Sequence, residues 1–235
     1  MQKLDQYKQA FIDFLIGSGA LKLSNPNDPE GLFTLKSGRK SPFFLNTGGL
    51  NDGEMMNKLG EAYARTIRQH FGSEIRFDVV FGPAYKGIPL SVSAVMAYAS
   101  LYGISKRYSS NRKEAKDHGD VGSFIGAKLE KGDYVLIIDD VTTTGDSIAE
   151  AKKIIEAAGA KPIGAVVALD RMEAASDTKD MTALEMLESR YGFPVVPIVT
   201  MKEVIEHQHD NLSNKTMLAF DNYYQRYGVA GREVL

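Results

Sequence analysis

The sequence predicts one α/β domain built on a mainly parallel sheet that is flanked by helices. Hydrophobic stretches typical of buried strands occur at residues 77–81, 135–138, 163–169 and 195–199. Segments with apolar residues at helical spacing separate them, and this alternation favours parallel strands joined by right-handed crossovers. A chain of 235 residues is long enough for one domain with a substantial core.

The amino-terminal segment does not follow this alternation. Apolar residues between Leu4 and Leu15 lie on one helical face, and Gly17 or Gly19 can end that helix. Residues 24–31 form a loop by composition, because two prolines and several Asn/Asp residues disfavour regular structure. Residues 33–36 and 43–47 predict two strands around a basic turn at 37–42, which taken alone could be a solvated hairpin.

The next strand ends in a loop with features of a ligand site. A helix is expected from an N-cap at Asn51 or Asp52, followed by the strand 77–81 and the segment Gly82-Pro-Ala-Tyr-Lys-Gly87. Ligands of open α/β sheets bind outside the carboxyl ends of the strands. The glycines allow close approach of the backbone and Lys86 adds a cation, although an ordinary strand-to-helix turn is the alternative. An apolar helix is expected at 88–101.

Residues 106–122 follow, where a short strand leads into a polar stretch without apolar periodicity. It contains Arg112, Lys113, Lys116 and His118 and ends in glycines. Composition alone favours a solvated surface loop. The concentration of cations also suits a lid that closes over a polyphosphate.

The stretch 134–147 carries the strongest indication of a ligand site in the sequence. Asp139 and Asp140 stand where the strand 135–138 should end, and a Thr/Gly/Ser loop then leads into a helix. Free backbone N–H groups, hydroxyls and the positive end of a helix dipole form an anion site there. A phosphate alone does not require two acids, so we expect a sugar phosphate whose hydroxyls donate to them. The alternative is a helix cap beside two solvated acids.

The last predicted strands place one more cation at the same edge. The strand 163–169 ends in Asp170 and Arg171, and an arginine there can hold a carboxylate through two hydrogen bonds. A surface salt bridge is the competing interpretation. A polar loop at 174–180, a helix at 181–190 and the strand 195–199 follow, and the remainder predicts helices.

Composition limits the possible partners and location. The net charge of −2 gives no reason to expect nucleic acid or an acidic membrane surface as partner. The chain has no cysteine, which excludes disulfides, thiolate metal sites and a cysteine nucleophile. Neither a run of about eighteen apolar residues nor a signal-peptide pattern is present. We therefore expect a soluble, cytoplasmic protein.

The stretch 134–147 resembles the phosphoribosyl pyrophosphate motif of type I phosphoribosyltransferases, and it is neither a Walker loop nor a Gly-x-Gly-x-x-Gly pattern. Three further segments, 33–44, 81–87 and 111–119, together with 169–171, are similar to the orotate phosphoribosyltransferase family. The resemblance implies the type I phosphoribosyltransferase fold as one domain over 1–235. A small hood would come from residues 1–50, the α/β core from 51–200 and terminal helices from 201–235.

The resemblance also implies site residues. The catalytic group would be Lys36, Lys116, Asp139 and Asp140, and orotate would be held by Phe43, Phe44, Thr143 and Arg171. Phosphoribosyl pyrophosphate would be bound by Lys36, Tyr85, Lys86, Arg112, Lys113, Lys116, His118, Asp139, Asp140, Val141, Thr142, Thr143, Thr144, Gly145, Asp146 and Ser147.

The implied reaction joins orotate to phosphoribosyl pyrophosphate, giving orotidine 5′-monophosphate and pyrophosphate. Mg²⁺ is the implied cofactor, held mainly by substrate oxygens and water. The implied assembly is a homodimer in which Arg112, Lys116 and His118 reach the other subunit's site while Lys113 serves its own. A phosphoribosyltransferase for another base, a non-catalytic sensor of phosphoribosyl pyrophosphate and half of a bifunctional UMP synthase are the alternatives.

Overall fold

The computed structural model describes residues 4–24, 31–35, 38–72, 75–113, 124–141, 145–175 and 179–234. Two short 3-10 helices, at Thr47–Gly49 and His209–Asn211, accompany the main elements. In chain order those elements are α1 (Gln6–Gly17), β1 (Leu21–Leu23), β2 (Phe33–Thr34), β3 (Lys40–Ser41), β4 (Phe43–Leu45), α2 (Gly53–Phe71), β5 (Val79–Phe81), α3 (Gly87–Tyr102), β6 (Arg107–Asn111), β7 (Phe124–Gly126), β8 (Tyr134–Asp139), α4 (Asp146–Ala157), β9 (Lys161–Asp170), α5 (Ala183–Tyr191), β10 (Val195–Thr200), α6 (Met201–Gln208) and α7 (Asn214–Tyr227).

Six strands form the central sheet, in the order β10-β9-β8-β5-β6-β7. The first five of these pair in parallel, and β7 pairs antiparallel with β6 at one edge. The predicted fold class is therefore confirmed. The sequence analysis missed β7, which is only three residues long, and it placed Asn111 in the polar segment although this residue ends β6.

The strands before α2 pair differently from the prediction. Strands occur within both predicted segments, but they do not pair with each other as the alternative of a hairpin requires, because β2 pairs with β3 and β4 pairs with β1, a strand that was not predicted. Pro42 lies between β3 and β4 and has no N–H to donate, so β3 pairing ends there. The chain then continues in a second ladder, with Leu21 opposite Leu45.

Two hydrophobic layers cover the sheet. Leu136 and Ile138 of β8 belong to a cluster with α1, α2, α3, α6 and α7, whereas Val135 and Ile137 belong to one with α4 and α5. This alternation is the period-two pattern of a strand that is buried on both faces. Because helices cover both faces, a ligand can reach the sheet at the carboxyl ends of its strands, and we call this row of strand ends the carboxyl edge of the sheet.

Side-chain caps fix several helix starts. Asp52 accepts a hydrogen bond from the Met55 N–H (2.8 Å), which confirms one of the two predicted N-caps of α2. Thr182 and Thr200 form capping boxes with Glu185 and Glu203. Within the described part of the chain, no helix combines the length and apolar character needed to cross a membrane.

Candidate active site

Asp140 lies at the carboxyl end of β8 and is almost fully buried. Its Oδ2 accepts hydrogen bonds from Lys86 Nζ (2.6 Å) and Thr47 Oγ1 (3.0 Å), and its Oδ1 accepts one from the Val141 N–H (2.8 Å). The ion pair therefore joins two of the predicted site segments. Because 58 % of the Lys86 side chain is exposed, its ammonium can also reach a ligand.

Asp139 is buried beside it and is held by other donors. Ser147 Oγ and the Asp140 N–H donate to its carboxylate, and the hydroxyl of the fully buried Tyr63 donates to its backbone oxygen (2.7 Å). Burial raises the pKa of Asp139 to about 6, with the hydrogen bond from Ser147 opposing and repulsion from Asp140 adding. The two acids thus differ in environment although they are neighbours in sequence.

The loop after the acids enters α4 at Gly145. This glycine has a φ of +78°, and a Cβ there would lie 2.3 Å from Leu187 Cδ2. Both facts require glycine at this position. Asp146 then begins α4, and the N-cap Gly145 provides no side-chain cap to this helix start. The predicted residues Thr142, Thr143 and Thr144 lie outside the described residues.

The loop after β5 is closed by contact between its glycines. A Cβ on Gly82 would lie 1.9 Å from Gly87 O, so no larger residue fits there. The peptide between Ala84 and Tyr85 is cis, and the Ala84 N–H donates to Asn111 Oδ1 (2.8 Å). The loop is therefore anchored to the end of β6.

The first residues of the predicted lid lie beside the loop that follows β5. Lys113 Nζ lies 5.3 Å from the centre of the Tyr85 ring, which is itself exposed. Arg112 is half-buried, and its Nε has no hydrogen-bond partner among the described residues. Lys36, Lys116 and His118 lie outside the described residues.

Arg171 follows β9 and is buried, in contrast to Lys86. Its guanidinium pairs with Glu173 (2.6 Å) and lies 4.3 Å from the centre of the Phe43 ring. Burial lowers the pKa of Arg171, but the charge and hydrogen bond of Glu173, together with those of Tyr223, outweigh burial and leave that pKa raised. Arg171 thus forms a salt bridge, as the competing interpretation has it, but the pair is buried and does not lie at the surface.

The two predicted phenylalanines occupy different environments. Phe43 is fully buried and packs against Phe220 and Tyr223, so its position suits support of Arg171 better than direct ligand contact. Phe44 is 37 % exposed and stacks on Phe33 with ring centroids 6.0 Å apart. Phe44 is thus the ring that can face a ligand.

Sequence reasoning missed several residues that hold the site together. Nothing in the sequence pairs Thr47 with Asp140 or Tyr63 with Asp139, since both residues belong to earlier elements. Glu173 could have been suspected, because a carboxylate two residues after a buried arginine is a local partner. The remaining one, Tyr223, lies in a carboxyl-terminal helix that carries no motif.

The acids do not form a closed metal cage. No group of three or more His, Cys, Asp or Glu side chains that could hold a metal ion occurs in the described ranges. The carboxylates of Asp139 and Asp140 already accept several hydrogen bonds each. This arrangement fits Mg²⁺ that keeps waters and substrate oxygens as ligands, with at most an outer contact to the acids.

The fold and this edge define a phosphoribosyltransferase. Residues 50–201 match the family described as "Phosphoribosyl transferase domain". A crystal structure of an orotate phosphoribosyltransferase from Francisella tularensis superposes with a TM-score of 0.79 at 35 % identity, covering 93 % of this chain and 99 % of that one.

Curated relatives narrow the class. An orotate phosphoribosyltransferase from Clostridium acetobutylicum is 44 % identical, covering 96 % of this chain and all of the relative. One from Agathobacter rectalis is 47 % identical over 96 % of this chain and 99 % of its own length. The chain belongs to the orotate phosphoribosyltransferase family, as the motifs predicted.

Proposed function

We propose that this chain transfers the 5-phosphoribosyl group of phosphoribosyl pyrophosphate to N1 of orotate, giving orotidine 5′-monophosphate and pyrophosphate in the pathway to UMP. The supporting observation is the juxtaposition of two unlike strand ends. The Ala168 N–H donates to Asp140 O (2.9 Å), so β8 brings its acid pair beside the end of β9, where Arg171 follows. One edge therefore offers acceptors for ribose hydroxyls and a cation for the carboxylate of a base.

At the phosphoribosyl end, Asp139 and Asp140 accept hydrogen bonds from the ribose hydroxyls, and the loop entering α4 holds the 5-phosphate. Lys86 and Tyr85 meet the pyrophosphate, and Lys113 starts close to them. The resemblance to the family adds the remaining contacts, from Lys36, Arg112, Lys116, His118, Val141, Thr142, Thr143, Thr144, Gly145, Asp146 and Ser147.

At the base end, Arg171 binds the carboxylate of orotate and Phe44 faces its ring. Thr143 contacts orotate from the anion loop in the same proposal. Phe43 packs against the guanidinium of Arg171, since the centre of its fully buried ring lies 4.3 Å from Arg171 Cζ. A base without a carboxylate would leave one amino group of this buried arginine without an acceptor.

The protein contributes positioning and charge neutralisation to this reaction, and it supplies no covalent nucleophile in this proposal. Orotate N1 bonds to the anomeric carbon as the bond to pyrophosphate breaks, the configuration inverts, and the N1 proton passes to the departing pyrophosphate or to water. Mg²⁺, when bound to the pyrophosphate oxygens, supplies positive charge that stabilises the leaving group. Lys86, Lys113 and Lys116 add positive charge, and the family resemblance adds a lid that excludes water. Asp139 and Asp140 hold the ribose in line between the two groups.

Assembly and location complete the proposal. The family resemblance supports a homodimer in which Lys116 of each chain completes the other chain's site. A chain without cysteine suits the reducing cytoplasm, where we place the enzyme.

The test is an absorbance assay of orotate consumption with phosphoribosyl pyrophosphate and Mg²⁺. We expect turnover of orotate, none when Mg²⁺ is chelated, and kcat/KM for uracil or hypoxanthine at least ~10³-fold lower, because a buried polar site strongly rejects a base that lacks its partner group. Comparable turnover of another base would contradict the assignment.

A further inference from the structure

Arg171 is held by a closed triangle of hydrogen bonds. Its Nε donates to Glu173 Oε1 (2.7 Å), its Nη2 donates to the Tyr223 hydroxyl (3.2 Å), and that hydroxyl donates to the same Oε1 (2.6 Å). All three residues are less than 9 % exposed. Burial, with the charge of Glu173 adding, raises the pKa of Tyr223 to about 12, so the phenol remains a donor at neutral pH.

These contacts use one side of the guanidinium. Nε and Nη2 face Glu173 and Tyr223, whereas no described residue accepts a hydrogen bond from Nη1. The Phe43 ring supports the group at 4.3 Å, and Phe220 and Tyr223 fix that ring in turn. The guanidinium is therefore fixed in orientation, with one amino group left to donate to a ligand.

Glu173 also pairs with a second arginine. Arg39 Nη1 lies 3.3 Å from Glu173 Oε2, so one carboxylate faces two guanidinium groups. Arg39, whose side chain is partly exposed, also lies 4.9 Å from the centre of the Tyr227 ring, in the same helix as Tyr223. Glu173 thus fixes both arginines from one side, and Nη1 of Arg171 can still donate to the carboxylate of the base.

We propose that Glu173 and Tyr223 are positioning residues that hold Arg171 for the carboxylate of the base, so that the carboxyl-terminal helix α7 helps to set substrate specificity. This inference rests on the proposed function. Neither residue touches the substrate in this arrangement. They act by keeping Nη1 aimed at the site and by preventing the long arginine side chain from taking other rotamers.

The first test is Tyr223→Phe, which removes one hydroxyl and keeps the ring that packs on Phe43. We expect KM for orotate to rise roughly 10-fold, with kcat and KM for phosphoribosyl pyrophosphate unchanged. Glu173→Gln keeps the shape and removes the charge, and should raise KM for orotate by roughly 10- to 100-fold. In the reverse reaction, KM should rise for orotidine 5′-monophosphate and not for pyrophosphate.

The matched control is Asp133→Asn. Asp133 is also buried and pairs with an arginine, Arg107 (2.5 Å), but it precedes β8 and lies at the opposite end of that strand from Asp139. We expect it to lower the melting temperature without changing KM for orotate. Although Arg107 is more exposed than Arg171, this control separates loss of a buried carboxylate that pairs with an arginine from loss of Arg171 positioning.

Two results would overturn the proposal. One is an unchanged KM for orotate in Tyr223→Phe, which should fold because only an oxygen is lost. The other is an equal rise in KM for both substrates, which indicates a general structural role. Failure of the proposed function looks different, because the unmodified protein would then not consume orotate at all.

Discussion

The polar groups at the end of β8 come from one continuous stretch of chain, whereas those after β9 come from three distant ones. Asp139, Asp140 and Ser147 follow a single strand. Arg171 instead depends on Phe43 from the amino-terminal segment and on Tyr223 from α7. The acids are buried at both ends, but the cation differs: Lys86 beside Asp140 is exposed together with Tyr85, whereas Arg171 is buried with Glu173. We call the phosphoribosyl end the open end and the base end the buried end for this reason.

This difference follows from what each end binds in the proposed reaction. Phosphoribosyl pyrophosphate carries a 5-phosphate and a pyrophosphate, and in the proposed reaction it brings Mg²⁺ with it. Backbone N–H groups and exposed cations can therefore hold it while water is still present. A small flat base offers one carboxylate, and selection requires a dry site in which an absent partner is costly.

The largest expected effect is at the open end. Lys116→Ala should lower kcat by roughly 10²-fold or more with little change in substrate binding, because its charge is needed as pyrophosphate leaves. Steady-state kinetics with both substrates measure this. Near-normal kcat with only a raised KM would remove Lys116 from the catalytic group.

The same variant tests whether the open end is shared between subunits. With phosphoribosyl pyrophosphate well below the KM of the Asp140→Asn protein, Lys116→Ala and Asp140→Asn homodimers should both be nearly inactive, but a mixed dimer would contain one site with neither defect. Random reassociation of equal amounts makes about half of the dimers mixed, so about a quarter of all sites should regain activity. Differently tagged chains confirm that mixed dimers have formed.

The buried end supplies the control for this experiment. Arg171 and Asp140 lie on adjacent strand ends of one chain, so mixing Arg171→Gln with Asp140→Asn should restore nothing. If Lys116→Ala with Asp140→Asn also stays at the parents' average, each site belongs to a single chain.

The contrast between the ends also explains what the sequence could predict. A hydrophobic strand, two acids and a Thr/Gly loop are adjacent in sequence, so their chemistry follows from local order. Glu173 follows Met172, which has a positive φ of 55°, and no pattern in the sequence predicts that backbone conformation. Tyr223 meets it only because α7 folds back on the sheet. The β2–β3 pairing was missed for the same reason, since partner choice is a tertiary property.

A smaller effect on activity is expected when one acid of the pair is changed. Asp140→Asn alters the acceptor of Lys86 and Thr47 and of the ribose hydroxyls. It should weaken phosphoribosyl pyrophosphate and the nucleotide product roughly 10- to 100-fold, with free pyrophosphate binding unchanged. Calorimetric titration of each ligand measures this. Loss of pyrophosphate binding together with Mg²⁺ dependence would instead indicate a direct metal ligand.

A pH titration should affect the two ends differently. The pKa of Asp139 is raised to about 6, so its carboxylate is ionised above that pH and protonated below it. We expect phosphoribosyl pyrophosphate binding to weaken several-fold, up to ~10-fold, between pH 7.5 and 5.5. Asp139→Asn should remove that part of the pH dependence. The ligand's own phosphate titrates near pH 6 in both proteins, so the difference between them isolates Asp139.

The smallest effect on activity is expected at Asp170, the corresponding acid at the end of β9. Burial raises its pKa to about 6, the Met172 N–H (2.8 Å) opposes this, and Glu185 and Glu173 add to it. The folded protein therefore holds a proton that the unfolded chain releases near pH 4, and the resulting stabilisation is lost as pH rises through 6.

Asp170→Asn should accordingly flatten the fall in stability between pH 4 and 6 and stabilise the protein at pH 7.5 by about 1–3 kcal/mol. Asn keeps an oxygen that can accept from the Met172 N–H. Thermal unfolding at several pH values measures the slope, and kcat should not change. Asp139→Asn should flatten the same unfolding slope, but it alone should also alter the pH dependence of phosphoribosyl pyrophosphate binding. If Asp170→Asn altered that binding as well, the division of the edge into an open phosphoribosyl end and a buried base end would be wrong.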